Sequence, residues 1–400
     1  MAERIKALFL TFYFNPDLCA GSFRASAIVK ELSKQSEFEW HVITTMPNRY
    51  IDFKADKADH EQISEKLKIT RIDIPSHKSG ILDQIRSFGY FYRQAISIAK
   101  TQNYDFVFAT SSRLFTAFLG AKIARKNKAI LYLDIRDLAR DTLVDLYKPP
   151  INYFLNLVLK KVEHYTFKTA NHINVVSEGF QKYISKHYFG KKSSVFTNGI
   201  DPEFMNFQLI NQKMNRQKSK TDLIQITYAG NVGAGQALEK IVPQLALELK
   251  SKVVFKIVGS GSRIRLLKNK VEELQIKNVV IIDPIQRSKL MIEYQNADIL
   301  FIHLNDIRAF EKVLPSKIFE YAATGKPILA GVNGYARQFL LENVSNCSVF
   351  QSGNIKEAVE AIKTIDLSSR SRVSFKNKFD REAITKNMVK DIIRVFQDGA

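Results

Sequence analysis

Cysteine is nearly missing from this chain of 400 residues: Cys19 and Cys347 are the two it has, and they lie far apart in sequence. That excludes a disulfide framework and a cysteine-built zinc cluster, and it fits a reducing compartment. His164, His172 and His187 do not have metal-ligand spacing either. Long apolar runs are also absent, since no window approaches the ~18 residues that a spanning helix needs. The nearest candidate, Ala7 to Phe14, follows Arg4 and Lys6, as a signal peptide would. It lacks a small-residue cleavage site and stops at Asn15-Pro16, so it reads as a first β-strand, and the protein is expected to be soluble or peripheral. Acidic residues are scarce beside basic ones, 40 against 60, which leaves a net charge of +20. Such a charge attracts nucleic acid, acidic lipid or phosphorylated substrates. No zinc-finger, RRM-like or helix-turn-helix signature comes with it, and the basic residues are spread through helices, so no nucleic-acid partner is expected.

What is present is a regular alternation of short apolar runs and helical patterns, in a chain long enough for two or three domains. Strands are expected at Ala7–Phe14, Glu39–Thr45, Lys68–Ile74, Tyr104–Ala109 and Ala129–Leu133. A second series follows at Ile224–Ala229, Val253–Val258, Val279–Asp283, Ile299–Leu304, Ile328–Ala330 and Ser348–Phe350. This is an α/β pattern of two doubly wound parallel sheets. The polar stretch 46–66 reads as a long surface loop and 204–222 as a linker. These readings place an N-terminal domain at 1–203 and a C-terminal domain at 223–380, with a charged, helical end beyond.

Several segments carry chemistry. The first strand leads through Asn15-Pro16 to Ala20-Gly21-Ser22-Phe23-Arg24, where a helix from about Ser22 would begin. A glycine-bearing loop before a helix N-terminus is either an anion site or merely a tight turn. Asp134-Ile135-Arg136-Asp137 closes another strand, and Arg136 and Asp137 either serve a ligand at the mouth of the sheet or pair with each other. Tyr228-Ala229-Gly230-Asn231-Val232-Gly233-Ala234-Gly235-Gln236 would let backbone approach a pyrophosphate at the start of a helix. Its spacing is not that of a GxGxxG dinucleotide site. Val258-Gly259-Ser260-Gly261 and Asp283-Pro284-Ile285-Gln286 are further turns at strand ends. In Val313 to Gly331, VLPSKIFEYAATGKPILAG, Pro315 is suited to open a helix, and Gly325 and Pro327 to close it. Glu320 then lies either among ligand groups or on the surface, paired with Lys317 at i,i+3.

The run P-S-K-x-F-E-Y-x-A-x-G-K-P-I resembles the donor-site segment of family 4 retaining glycosyltransferases, which have the GT-B fold. It is most similar to the bacterial branch that builds surface polysaccharides from nucleotide-activated N-acetylated sugars. The resemblance implies two doubly wound Rossmann-like domains facing a cleft, the last helix (about 380–400) completing the first domain. It implies transfer with retention, no cofactor beyond the nucleotide-sugar, and, as no convincing Asp-x-Asp motif is found, no metal. Glu320 would bind the ribose hydroxyls of a UDP-type donor. Gly21 and Ser22 would face its phosphates, with Gly230, Asn231, Gly233, Gln236, Gly259, Ile285 and Lys317 completing the donor site. Asn231 and Gln236 stand where other members carry Arg and Lys, so Lys312 or Lys317 would have to supply the positive charge. Arg136 and Asp137 match the D-x-R-D-L-W-P motif, with Ala139 for Trp and Arg140 for Pro, and would serve the acceptor and its attacking hydroxyl. The position matching the family's first glutamate is Lys312, with Glu311 one step earlier. Either the loop is shifted or that carboxylate is dispensed with. Thr197-Asn198-Gly199-Ile200-Asp201 matches the turn that closes the first domain.

A transferase is not the one reading open to this pattern. A UDP-sugar 2-epimerase of the same fold, or a noncatalytic nucleotide-sugar-binding subunit, shares it. The expected acceptor is a saccharide or a polyprenyl-diphosphate-linked sugar at the inner face of the cytoplasmic membrane. Two basic stretches would hold the protein on an anionic surface: Lys78 to Arg93, where Arg86, Phe88, Tyr90, Phe91, Tyr92 and Arg93 interleave rings with cations, and Lys160 to Lys192. The alternative for the first stretch is a helix buried on its aromatic side.

Overall fold

The computed structural model describes residues 4–17, 19–48, 60–75, 81–111, 114–207 and 223–399. They form two compact units, Met1–Asn198 with Arg381–Ala400, and Gly199–Asp380. The segment read as a linker falls largely outside the described residues.

The first unit runs β1 (Ile5–Leu10), α1 (Ala20–Leu32), β2 (Phe38–Thr45), β3 (His60–Ser64), β4 (Leu67–Ile72), α2 (Ile81–Ala99), β5 (Phe106–Ser111), α3 (Leu114–Asn127), β6 (Ile130–Ile135), α4 (Ala139–Leu146), α5 (Ile151–Thr169), β7 (His172–Val175), α6 (Glu178–His187) and β8 (Ser193–Val195). Its sheet has the order β3-β4-β2-β1-β5-β6-β7-β8. Every pairing is parallel except β3 with β4. β5 and β6 are buried at every position, because helices cover both faces of the sheet. Phe9, Phe108 and Tyr132 stack across three neighbouring strands with centroids 4.6 and 5.5 Å apart.

The second unit contains α7 (Pro202–Met205), β9 (Ile224–Ala229), α8 (Leu238–Glu248), β10 (Val253–Val258), α9 (Ile264–Glu273), β11 (Val279–Ile282), α10 (Arg287–Asn296), β12 (Ile299–His303), α11 (Lys317–Thr324), β13 (Ile328–Gly331), α12 (Gly334–Asn343), β14 (Cys347–Phe350), α13 (Ile355–Thr364) and α14 (Val373–Lys378). Its sheet is wholly parallel, in the order β11-β10-β9-β12-β13-β14. Successive strands step outward from β9 on one side and from β12 on the other. The switch point where such sheets bind ligands therefore lies beyond the carboxyl ends of these two. The last helix, α15 (Arg381–Gly399), returns to the first unit, where Met388, Val389, Ile392 and Val395 join the core under β1 and β5.

Two expectations need correction. The stretch 46–66 is not all loop, since His60–Ser64 pairs antiparallel with β4 as an edge strand. Its side chains are mostly exposed and polar, so no hydrophobic alternation marked it. In α2 the aromatic side is the buried one: Phe91 is fully buried, Phe88 packs on Phe12 and Phe115, and Tyr92 stacks on Phe118. Arg86 and Arg93 are exposed on the other side. Lys78 lies outside the described residues. Among the described residues no helix is long and apolar enough to cross a membrane.

Each unit contains a histidine kept neutral by burial. His41 lies between Tyr104 Oη (2.7 Å) and Thr70 Oγ1 (2.8 Å), and burial, assisted by Lys68, lowers its pKa to about 4. His303 contacts the Gln236 carbonyl through Nδ1 at 2.7 Å, and its Nε2 accepts the Gly353 N–H at 3.1 Å. Nδ1 therefore carries the proton. A second proton on Nε2 would break the Gly353 bond, and burial lowers this pKa too, to about 4. An unfolded histidine titrates near 6.5, so between that pH and about 4 the unfolded chain holds more protons than the folded one. Stability from both side chains is therefore full above pH ~6.5 and lost as pH falls toward ~4, at about 1.4 kcal/mol per pH unit for each. Urea unfolding measured from pH 7.5 to 4.5 should show that slope, and His303→Asn should remove one histidine's share of it. A pH-independent transition would contradict the assignment.

Candidate functional site

At the switch point of the second unit the chain leaves β9 through Gly230, whose φ of +138° favours glycine. Its lack of a side chain also makes space, because a Cβ there would lie 2.0 Å from Lys317 Nζ. The ammonium rests on the bare Gly230 backbone and 5.5 Å from the centroid of the Tyr228 ring. The following turn approaches as closely, since a Cβ on Gly259 (φ +148°) would lie 1.9 Å from the Gly230 carbonyl oxygen. Val232 N–H donates to Ser260 O at 2.9 Å, so the two loops after β9 and β10 form one surface.

The rest of the glycine loop is tied to the end of β12. Asn305 donates from its backbone to Gly235 O at 2.8 Å and from Nδ2 to Ala234 O at 3.0 Å. His303 holds the carbonyl of Gln236. Phe310 covers Gly235, with a ring carbon 3.1 Å from where a Cβ would stand. The motif implies an open Gly233 N–H, but here that group donates to Gln236 Oε1 at 3.2 Å. The same oxygen accepts from Asn231 Nδ2 at 3.0 Å. The loop thus satisfies itself where Arg and Lys are replaced, and the cation at its lip is Lys317.

α11 starts at Lys317 and not at Pro315, whose carbonyl instead accepts the Ile318 N–H at 3.1 Å. Gly325 closes the helix at φ +77°. Its buried face includes Ile318, Phe319, Tyr321, Ala322 and Ala323. Tyr321 Oη accepts the Ala229 N–H at 3.0 Å, which fixes the helix on the end of β9. Lys317 and Glu320 diverge. Burial lowers the Lys317 pKa, with Glu320 opposing, and its ammonium goes to Gly230. Glu320 Oε2 accepts from Tyr294 Oη at 3.4 Å. Beyond it stands Arg287, paired with Asp201, 3.8 Å from Glu203 and 5.0 Å over the Phe204 ring. Burial works against the Arg287 charge, but Asp201 and then Glu320 outweigh it and its pKa is raised. Glu311 is exposed in a 3-10 turn, Arg308–Lys312, whose backbone lies under Gly334. Ile285 is half-buried against the core that also holds α11.

In the first unit Gly21 and Ser22 lie within the first turn of α1, not in a loop ahead of it. Ser22 is buried and its Oγ has no hydrogen-bond partner. Arg24 makes a two-pronged pair with Asp134, Nε to Oδ2 at 3.0 Å and Nη2 to Oδ1 at 2.9 Å. Asp134 also accepts from Asn174 (2.7 Å) and Thr110 (3.1 Å), and although burial opposes its charge, Arg24 holds its pKa below the usual value. Next along the chain, Arg136 donates its backbone N–H to Ser111 Oγ at 3.2 Å, while its buried Nε and Nη1 are unpartnered. Burial, then Arg24, lowers its pKa to about 10. Asp137 is exposed and accepts from Thr142 Oγ1 at 3.3 Å. Arg140, where the motif has proline, joins α4 to α5 by donating to Glu163 at 3.3 Å and to Asn156 at 2.9 Å.

Sequence reasoning missed Tyr228, Tyr294, Arg287 and His303. Each is an ordinary strand or helix residue by pattern, and only the tertiary packing brings it to the site. Among the described residues no three His, Cys, Asp or Glu side chains group as metal ligands.

Comparison with known proteins bears on this arrangement. The model of the family described as glycosyl transferases group 1 matches residues 210–381. Sucrose-phosphate synthase from Thermosynechococcus elongatus superposes with a TM-score of 0.75 at 13% identity, covering 99% of this chain and 100% of that one. Anabaena HepE in complex with UDP and glucose gives 0.64 at 14% identity over 98% and 100% of the two chains. WaaG, a glycosyltransferase involved in lipopolysaccharide biosynthesis, gives 0.65 at 14% identity over 97% and 99%. No curated protein matches by sequence. With the two Rossmann-like sheets, these likenesses show that the chain has the GT-B fold, and its residues 210–381 match the model of the glycosyl transferases group 1 family.

Proposed function

We propose that this protein is a retaining glycosyltransferase that moves a sugar, of the N-acetylated hexosamine type, from a UDP-linked donor to a lipid-linked or saccharide acceptor in surface polysaccharide synthesis. The observation that carries the reading is the Lys317 ammonium lying on the bare backbone of Gly230, with Glu320 on the same helix turning toward Tyr294 and Arg287. A departing nucleoside diphosphate needs fixed positive charge where its own negative charge develops. Lys317 supplies it at the glycine loop, and Glu320 receives the ribose hydroxyls. On the first unit, Arg136 has guanidinium edges without partners for an anionic group, and Asp137 is exposed to receive the proton of an attacking hydroxyl. Glu311, exposed in the 3-10 turn ahead of α11, is taken as the third catalytic residue, in the place of the family's first glutamate. HepE, solved with UDP and glucose, and WaaG, of lipopolysaccharide biosynthesis, support the donor class and the pathway class. The +20 charge supports a place at the anionic inner face of the cytoplasmic membrane.

A panel of UDP-sugars with polyprenyl-diphosphate-linked acceptors tests the whole. Acceptor-dependent release of UDP is expected. Epimer exchange without acceptor, or binding without turnover, would replace the transferase with an epimerase or a binding subunit.

Two substitutions test the donor site. Charge-assisted hydrogen bonds from ribose to Glu320 are worth about 1.5–3 kcal/mol, so Glu320→Ala should weaken UDP binding roughly 10- to 150-fold, and lower transfer with it. Near-normal UDP affinity in a folded variant would remove Glu320 from the site. Lys317→Met should separate phosphate from nucleoside: UDP affinity falls at least tenfold by calorimetry while uridine affinity stays within twofold. Equal losses for both ligands would assign Lys317 to the packing of the loop instead.

A further inference from the structure

The aromatic side of α2 is turned inward, so the membrane clause of the reading above needs another element, and α5 provides one. The buried face of α5 is narrow, with Leu159, Glu163, Thr166 and Phe167. Its first two turns expose apolar side chains to water: Ile151 56%, Tyr153 70%, Phe154 68%, Leu157 59% and Val158 39%. Ile151, Phe154 and Val158 lie at helical spacing on one strip. The same strip continues through Lys161, Tyr165 and Lys168, and its character changes there from apolar to basic.

Lys161, His164, Tyr165, Lys168 and Thr169, with Arg125 from α3, line an open groove of about 560 Å³. Tyr165 collects cations over its ring, with Lys122 Nζ 4.7 Å and the Arg125 guanidinium 5.7 Å from its centroid. Among the described residues no acidic side chain lines the groove. Glu163, the one acid of α5, is buried and accepts from Tyr183 Oη (2.7 Å), Tyr188 Oη (2.8 Å) and Arg140. Residues 151–192 carry seven Lys and two acids. That charge selects the occupant. A second copy would set one lysine-rich strip against another, whereas an anionic bilayer offers phosphates to the groove and hydrocarbon to the apolar turns.

We infer that α5 is a membrane-docking element, its N-terminal half entering the acyl region of an anionic bilayer while the groove beside α3 holds a phospholipid phosphate. An interfacial helix of this kind buries its apolar face about 5–10 Å into the headgroup boundary, and each basic residue near the surface adds about 1 kcal/mol. The inference deepens the membrane clause alone and needs neither donor nor turnover.

The test is cosedimentation of the full chain with vesicles of phosphatidylcholine alone or mixed with phosphatidylglycerol, beside UDP binding in solution. Wild type should bind the mixed vesicles and not the neutral ones. The double substitutions Phe154→Ser with Leu157→Ser, and Lys161→Glu with Lys168→Glu, should each reduce that binding more than tenfold. Arg86→Glu with Arg93→Glu, on α2, should change it less than threefold. UDP affinity should be unchanged in all three, so failure here is distinct from failure of the donor assignment. Phe154→Trp should show a blue-shifted emission with mixed vesicles, a direct sign of insertion. Undiminished binding by either α5 variant, no binding by wild type, or no spectral shift would overturn the inference. So would a wild-type dimer that the α5 substitutions convert to monomer, since the occupant would then be a second copy.

Discussion

The second unit is organised by a close approach between two backbones. Gly230 and Gly259 meet with no side chain between them, at a distance no Cβ would allow. That contact lets β9 and β10 end side by side, and it leaves the Gly230 peptide bare on its other side. Lys317 occupies the bare side, and the position of α11 follows, because Tyr321 on the same helix holds the last N–H of β9. Once the helix is so placed, Glu320 must face Tyr294 and Arg287. The site is therefore a consequence of packing at the end of one strand, and its polar groups come from elements that a glycine contact has brought together.

A different economy operates in the first unit, where the organising group is a buried carboxylate. Asp134 gathers Arg24, Asn174 and Thr110, so it joins α1, β5 and β7 to the end of β6. Removing one partner of such a pair leaves an uncompensated charge in the interior and is costly, which makes this network a structural keystone. Arg136 shares the neighbourhood without sharing the carboxylate, and its guanidinium is left with unpartnered atoms.

Much of the fold was legible because buried parallel strands are written as unbroken apolar runs, as at Ile299 to His303, and because Gly325 and Pro327 announce where α11 must stop. β3 was hidden because an edge strand facing water needs no hydrophobic pattern. The direction of α2 was ambiguous, since rings and cations interleave on a membrane helix and on a half-buried one alike, and the partners Phe12, Phe115 and Phe118 that decide it come from other segments. In the site, the glycines and Glu320 were marked by motif. The motif did not show that Gln236 would take the Gly233 N–H, or that α1 would begin early enough to include Gly21. Both depend on which hydrogen bond a backbone group finds, and residue spacing does not record that choice.

The return of α15 bears on how the chain matures. Met388, Val389, Ile392 and Val395 belong to the core of the first unit, yet they are translated after the whole of the second. Synthesis runs N-terminal first at about 5–20 residues per second, so a nascent chain holds an uncapped first sheet while β9 to β14 are being made. The unit that comes second in sequence is the one that can finish first. The first must wait, with Phe38 and Phe106 uncovered by Phe396, until the last helix leaves the ribosome.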